Sequence, residues 1–152
     1  MRALIFFLLL INFPVWAQTT FILVRHAEKE ATGADPKDPN LTKDGEARAL
    51  SLVKLLEKQN IDAIYSTNFN RTKNTVKPLA DSKNLGIQIY DKQPDIDKLK
   101  MKGGTIVICG HSNTIPALAN LLIGKEQFKT FDDTDFGNIL IIKDGSVTHL
   151  RY

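Results

Sequence analysis

The chain has 152 residues and a net charge of only +3, from 20 Lys and Arg against 17 Asp and Glu. So small an excess, spread along the sequence, argues against a nucleic-acid surface, and no basic amphipathic stretch marks a membrane-surface helix. The single cysteine, Cys109, cannot form an internal disulfide and lies in the apolar run 105–109 (TIVIC), where it reads as a small buried hydrophobe.

Met1 and Arg2 make a short basic start, residues 3–13 (ALIFFLLLINF) an almost unbroken apolar run, and Val15 and Ala17 the small residues of a cleavage site. That order is the pattern of a secretory signal peptide, and a run of about 11 residues falls short of the roughly 20 that span a bilayer. Residues 1–17 are therefore expected to be a leader, with an uncleaved membrane anchor as the rival. Residues 18–152 are expected to form a single exported domain, periplasmic or extracellular and free of the membrane after cleavage.

Residues 20–24 (TFILV) read as a short buried strand that runs straight into Arg25-His26. Residues 27–40 are rich in charge, Gly and Pro, and predict a loop. Thr42 offers a helix N-cap, with Asp44 and Glu46 in the first turn. Ala47, Leu50, Val53 and Leu56 follow at helical spacing, and Leu52 and Leu55 widen that apolar face. A second strand is expected at 61–65, then a turn at 66–70 into a helix carrying Arg71, Thr75, Val76 and Leu79. Gly86 introduces a third strand at 87–90, and 91–102 reads as a loop and short helix. The most apolar strand, 105–109, ends in Gly110-His111-Ser112. A helix at 116–123 stops at Gly124, and strands at 138–142 and 146–151 flank Lys143-Asp144-Gly145, a hairpin signal.

Strands alternating with helices predict an α/β fold, a three-layer α/β/α sandwich with a mostly parallel sheet and an antiparallel C-terminal hairpin. Ligands in such sheets bind beyond the carboxyl ends of the strands. Those ends carry Arg25-His26, residues 66–71 and Gly110-His111. His149, in the closing hairpin, reads as an ordinary polar residue.

Two arginines and two histidines at converging strand ends suit phosphoryl transfer. Arginine matches phosphate oxygens with a planar fork of donors, and imidazole serves as nucleophile or, protonated, as an oxyanion donor. Each donor aimed at developing charge contributes about 3 kcal/mol to transition-state stabilisation. A metal is not expected: the sequence has no HExxH, CxxC or His-x-His, and Arg25 opposes a cation. A serine hydrolase has no GxSxG to rest on.

Leu23-Val24-Arg25-His26-Ala27-Glu28 resembles the Arg-His signature of the histidine phosphatase superfamily, the phosphoglycerate-mutase-like fold. Leu41-Thr42-Lys43-Asp44-Gly45-Glu46-Ala47 resembles that family's helix start. Tyr65-Ser66-Thr67 through Arg71-Thr72 and Thr75 resembles its Ser-x-x-x-x-Arg-x-x-x-Thr element, and residues 107–116 its second histidine motif. The resemblance implies that His26 carries the phosphoryl group and that Arg25, Arg71 and His111 bind its oxygens, with no cofactor or metal. Glu28, Ser112 and Asn113 would add substrate contacts. In place of the aspartate that some members carry after the second histidine stands Ser112, and 91–102 lacks a recognisable acid motif, so Glu28, Asp91, Asp95 and Asp97 are the candidates for general acid. The expected activity is hydrolysis of phosphomonoesters. A phosphohistidine or phosphoprotein phosphatase with a minimal pocket and a non-catalytic phosphate-binding module are the alternatives. The partner is accordingly a phosphorylated small molecule or a phosphoprotein.

Overall fold

The computed structural model describes residues 18–31 and 35–152; the expected leader at 1–17 lies outside the described residues. Its centre is a pair of parallel strands, β1 (Thr19–Arg25) and β4 (Gly104–Gly110), in a register that sets Arg25 against Gly110. Ile22, Leu23 and Val24 are 0–1% exposed, as are Ile106, Val107, Ile108 and Cys109. Both faces of these strands are covered, which is why they read as continuous apolar runs.

Strand β2 (Ala63–Thr67) lies parallel to β4 and to β3 (Ile87–Tyr90). On the other flank, β5 (Asn138–Lys143) runs antiparallel to β1 and pairs in a hairpin with β6 (Ser146–Arg151). The six-stranded order is β3-β2-β4-β1-β5-β6. Asp144 (φ 50°) and Gly145 (φ 73°) both take left-handed backbone, the geometry of a two-residue hairpin turn and the reason for the Asp-Gly pair.

Alternate strand residues build two separate cores. Ile22, Val24 and Val107 pack with Leu52 of α1 (Lys43–Leu55) and Leu56 just after it, and with Val76 and Leu79 of α2 (Asn70–Ser82). Phe21, Leu23 and Ile108 pack on the opposite face with Ile96 and Leu99 of α3 (Ile96–Lys102) and with Ile115 and Leu118 of α4 (Thr114–Ile123). Full burial of each such side chain stabilises the fold by about 1.5–3 kcal/mol. The α/β/α sandwich with its antiparallel hairpin is thus the observed architecture.

The apolar face of α1 differs from the expected one. Its buried positions are Gly45, Ala49 and Leu52, whereas Leu50 is 57% and Leu55 42% exposed. The helix start fixes this rotation. Thr42 Oγ1 caps the Gly45 amide at 3.1 Å, and the Glu28 carbonyl, which accepts from Thr42 N at 2.9 Å, crosses so close that a Cβ on Gly45 would sit 2.2 Å from it. A glycine therefore opens the buried stripe, where a hydrophobicity pattern does not look for one.

Candidate active site

The ladder between β1 and β4 continues one residue past the strand, through a 2.9 Å bond from His26 N to the Gly110 carbonyl. His26 and His111 consequently leave the sheet at the same edge, with ring centroids 5.5 Å apart. The backbone after His26 is pinned by α2: Ala27 N donates to Thr75 Oγ1 at 2.9 Å, and the Thr75 hydroxyl donates to the Arg71 carbonyl at 2.7 Å. Thr75 thus ties the turn bearing His26 to the helix bearing Arg71.

The His26 ring is fixed by its neighbour. Nδ1 lies 2.8 Å from the Ala27 carbonyl, which can only accept, so Nδ1 carries the proton and Nε2 keeps its lone pair. Burial lowers the His26 pKa to about 4, the Ala27 bond opposes that shift, and His111, Arg25 and Arg71 add to it. His111 is likewise lowered to about 4, by burial and then by Arg71 and Arg25. Both rings are neutral at pH 7 in the ligand-free protein.

A pH dependence follows. Between the ordinary imidazole value of about 6.5 and about 4, the unfolded chain binds protons that the folded one refuses, so stability falls as pH drops through that window. A nitrogen-15 NMR titration is expected to find two neutral imidazoles at pH 5.5; protonation of both near 6.5 would contradict the burial argument.

Arg25 is 2% exposed and is held from two sides. Nη1 donates to the Asp135 carbonyl at 2.8 Å and to that of Asp132, and Nη2 donates to that of Asp133 at 2.8 Å. The Phe136 ring lies under the guanidinium at 4.5 Å. Of the five N–H groups, Nε–H has no partner among the described residues and one Nη2–H is left over. Those two are the donors of Arg25 that the described protein leaves unused, and a planar guanidinium edge of this kind matches an anion such as phosphate.

Arg71, on the first turn of α2, stacks over Phe69 at 4.3 Å and lies 3.7 Å from Asp38 Oδ1. Its guanidinium makes no hydrogen bond to protein among the described residues. His111 is steadied through Nε2, 3.1 Å from Thr67 Oγ1, which is 2.9 Å from Thr72 Oγ1. Thr72 sends its own proton to the Thr67 and Phe69 carbonyls. The threonine pair therefore acts as an acceptor relay that lets His111 Nε2–H donate to Thr67.

These four side chains line one cavity of about 570 Å³, together with Lys29, Ser112, Asn113, Asp133, Thr134 and Phe136 among others. The sequence placed His26, Arg25, Arg71, His111, Ser112 and Asn113 in the site, and the structure brings all six together. It does not bring Glu28. That carboxylate is bound by Arg48, with Nε 2.8 Å from Oε2, and its pKa is lowered first by that bond, so it is a poor proton donor. Asp91 and Asp95 line a different cavity, beside β3 and α3, and Asp95 caps α3 by accepting from Lys98 N at 3.1 Å. Asp97 is exposed in the first turn of α3.

Asp133 is instead the acidic residue among the described lining of the cavity. The 132–136 segment is not among the site residues expected from the sequence. Its run of acids before an aromatic was the available signal, but the atoms that grip Arg25 are main-chain carbonyls, which no residue type announces.

The family model of the histidine phosphatase superfamily (branch 1) matches residues 21–101. The chain belongs to this superfamily. Phosphoserine phosphatase 1 of Hydrogenobacter thermophilus is 36% identical over 80 residues, which are 50% of this histidine phosphatase chain and only 38% of that relative. Among solved structures, the protein histidine phosphatase SixA complexed with tungstate superposes with a TM-score of 0.69 at 16% identity, covering 86% of this chain and 94% of that one. The phosphoglycerate mutase from Bacillus anthracis str. Sterne gives 0.64 at 14% identity, covering 90% and 93%. Likenesses at these identities establish the shared fold.

Proposed function

We propose that this histidine phosphatase superfamily member is an exported phosphatase that hydrolyses phosphomonoesters through a phosphohistidine on His26. The observation that carries this reading is the His26 ring, neutral, with Nδ1–H fixed on the Ala27 carbonyl and Nε2 unprotonated in a cavity lined by Arg25, Arg71 and His111. Nε2 attacks phosphorus, forming the N–P bond as the bond to the leaving oxygen breaks, and that oxygen takes a proton from solvent, which the attacking water returns in the second step. The unpartnered Nε–H and Nη2–H of Arg25 and the donors of Arg71 hold the equatorial oxygens as their charge grows. His111 takes up a proton once a phosphate dianion offsets the two guanidinium charges, and then donates to an oxygen. Water attacks the phosphohistidine and releases inorganic phosphate, returning Nε2 with its lone pair. No cofactor enters the scheme. Export rests on the leader pattern of residues 1–17.

A specific observation favours a second reading. The described lining offers one carboxylate, Asp133, and it is exposed to solvent. A site without a buried acid suits leaving groups that need no proton, including phosphate carried on nitrogen, as on a phosphohistidine protein. The name of the SixA structure fits that substrate, and that of the Hydrogenobacter relative fits phosphoserine.

Phosphate release from p-nitrophenyl phosphate, free phosphoserine and a phosphohistidine-bearing protein separates these readings. Turnover of the first two supports the phosphomonoesterase. Turnover of p-nitrophenyl phosphate and the phosphohistidine protein, with phosphoserine inert, supports the second. Phosphate binding with no turnover of any substrate overturns both in favour of a binding module.

A further inference from the structure

We propose that Asp38 is a positioning residue that aims Arg71 into the phosphate cavity, which makes the turn at residues 35–38 part of the site; the inference rests on the phosphatase reading above. Arg25 is locked by three carbonyls, but nothing comparable holds Arg71. Among the described residues its restraints are the Phe69 ring at 4.3 Å and a single carboxylate, Asp38, with Oδ1 3.7 Å from Nη1. The Arg71 side chain is 15% exposed, so this pair is partly shielded from water.

Asp38 is itself fixed. The Asp35 carboxylate accepts from Lys37 N at 3.0 Å, and the Asp35 carbonyl from Asp38 N at 3.2 Å, so a tight turn presents Asp38. Its Oδ1 accepts from Asn70 N at 2.8 Å, and its carbonyl accepts from Asn70 Nδ2 at 3.2 Å. Helix α2 has Phe69 at its N-cap and no side-chain cap of its own; Asp38 supplies one from 32 positions earlier in the chain. One oxygen therefore does two things, capping the helix that carries Arg71 and restraining the guanidinium one residue further on.

Asp38→Asn separates these roles, because an amide oxygen still accepts from Asn70 N while the charge is lost. A bystander carboxylate near an anion site repels phosphate, so its removal leaves inhibition by inorganic phosphate unchanged or tightens it. A positioning carboxylate gives the opposite sign. In Asp38→Asn the inhibition constant for inorganic phosphate and the KM for p-nitrophenyl phosphate are expected to rise roughly fivefold to tenfold, with the melting temperature close to wild type. In an Arg71→Ala background the same change is expected to leave the inhibition constant where Arg71→Ala alone puts it.

An inhibition constant unchanged or lowered by Asp38→Asn in an active enzyme overturns this proposal alone. So does a rise that persists in full without Arg71. Wild-type protein that neither turns over p-nitrophenyl phosphate nor binds phosphate overturns this proposal together with the phosphatase reading.

Discussion

Replacing His26 with alanine is expected to lower kcat on p-nitrophenyl phosphate by at least about a thousandfold, the scale seen when a covalent nucleophile is removed. The size of the loss follows from the lack of a substitute among the described neighbours. His111 has its Nε2 bonded to Thr67. Cys109 is fully buried beneath the sheet edge, and burial pushes its thiol pKa well above the ordinary range, so it presents no thiolate. Arg25 keeps its three carbonyl bonds, so inhibition by inorganic phosphate is expected to survive within about tenfold of wild type. That pairing of lost turnover with retained binding separates a missing nucleophile from a misfolded protein. A variant that keeps more than a few per cent of wild-type kcat would remove His26 from the chemistry.

Arg25→Lys is expected to do more damage than a change that conserves charge suggests, and to do it in two ways at once. A lysine ammonium is a point charge with three donors and cannot reach three carbonyls while presenting a flat donor pair to phosphate. Hydrogen bonds to charged groups contribute about 1.5–3 kcal/mol each. Loss of most of the set at Asp132, Asp133 and Asp135 is expected to destabilise the fold by about 2–4 kcal/mol, since their contributions are not additive. The phosphate inhibition constant is expected to rise about a hundredfold, because the Nε edge is gone and the cavity wall carrying Asp133, Thr134 and Phe136 loosens. Arg71→Lys provides the control: Arg71 donates no hydrogen bond to protein among the described residues, so affinity should fall with little change in melting temperature. Equal effects of the two changes on stability would show that the turn at 132–135 does not depend on Arg25.

How much of this was legible in the sequence depends on what kind of atom does the work. Buried runs such as residues 20–24 and 105–109 announce strands because both faces must be apolar, and Asp144-Gly145 announces a hairpin because its backbone must be left-handed. The strand-end rule then led from those strands to His26, Arg25, Arg71 and His111, all of which line one cavity. Side chains whose role depends on a distant partner were not legible. Glu28 reads as an available acid in the sequence, but Arg48 of α1 binds its carboxylate. Asp38 carries no mark that it caps a helix beginning 32 residues later. The turn at 132–135 holds Arg25 through carbonyls, which every residue possesses. The buried face of α1 departs from its hydrophobic pattern because the stripe opens on Gly45, required for the passage of the Glu28 carbonyl rather than for hydrophobicity.

In the proposed reaction phosphate passes through Nε2 of His26. The most direct measurement of this is a rapid quench of the wild-type protein with phosphorus-32-labelled substrate, followed by alkaline digestion and mapping of the labelled peptide. A burst of label is expected that is stable to base and labile to acid, located on His26 and absent from His26→Ala. Turnover without any such labelled species, or label on His111 or a serine, would contradict it.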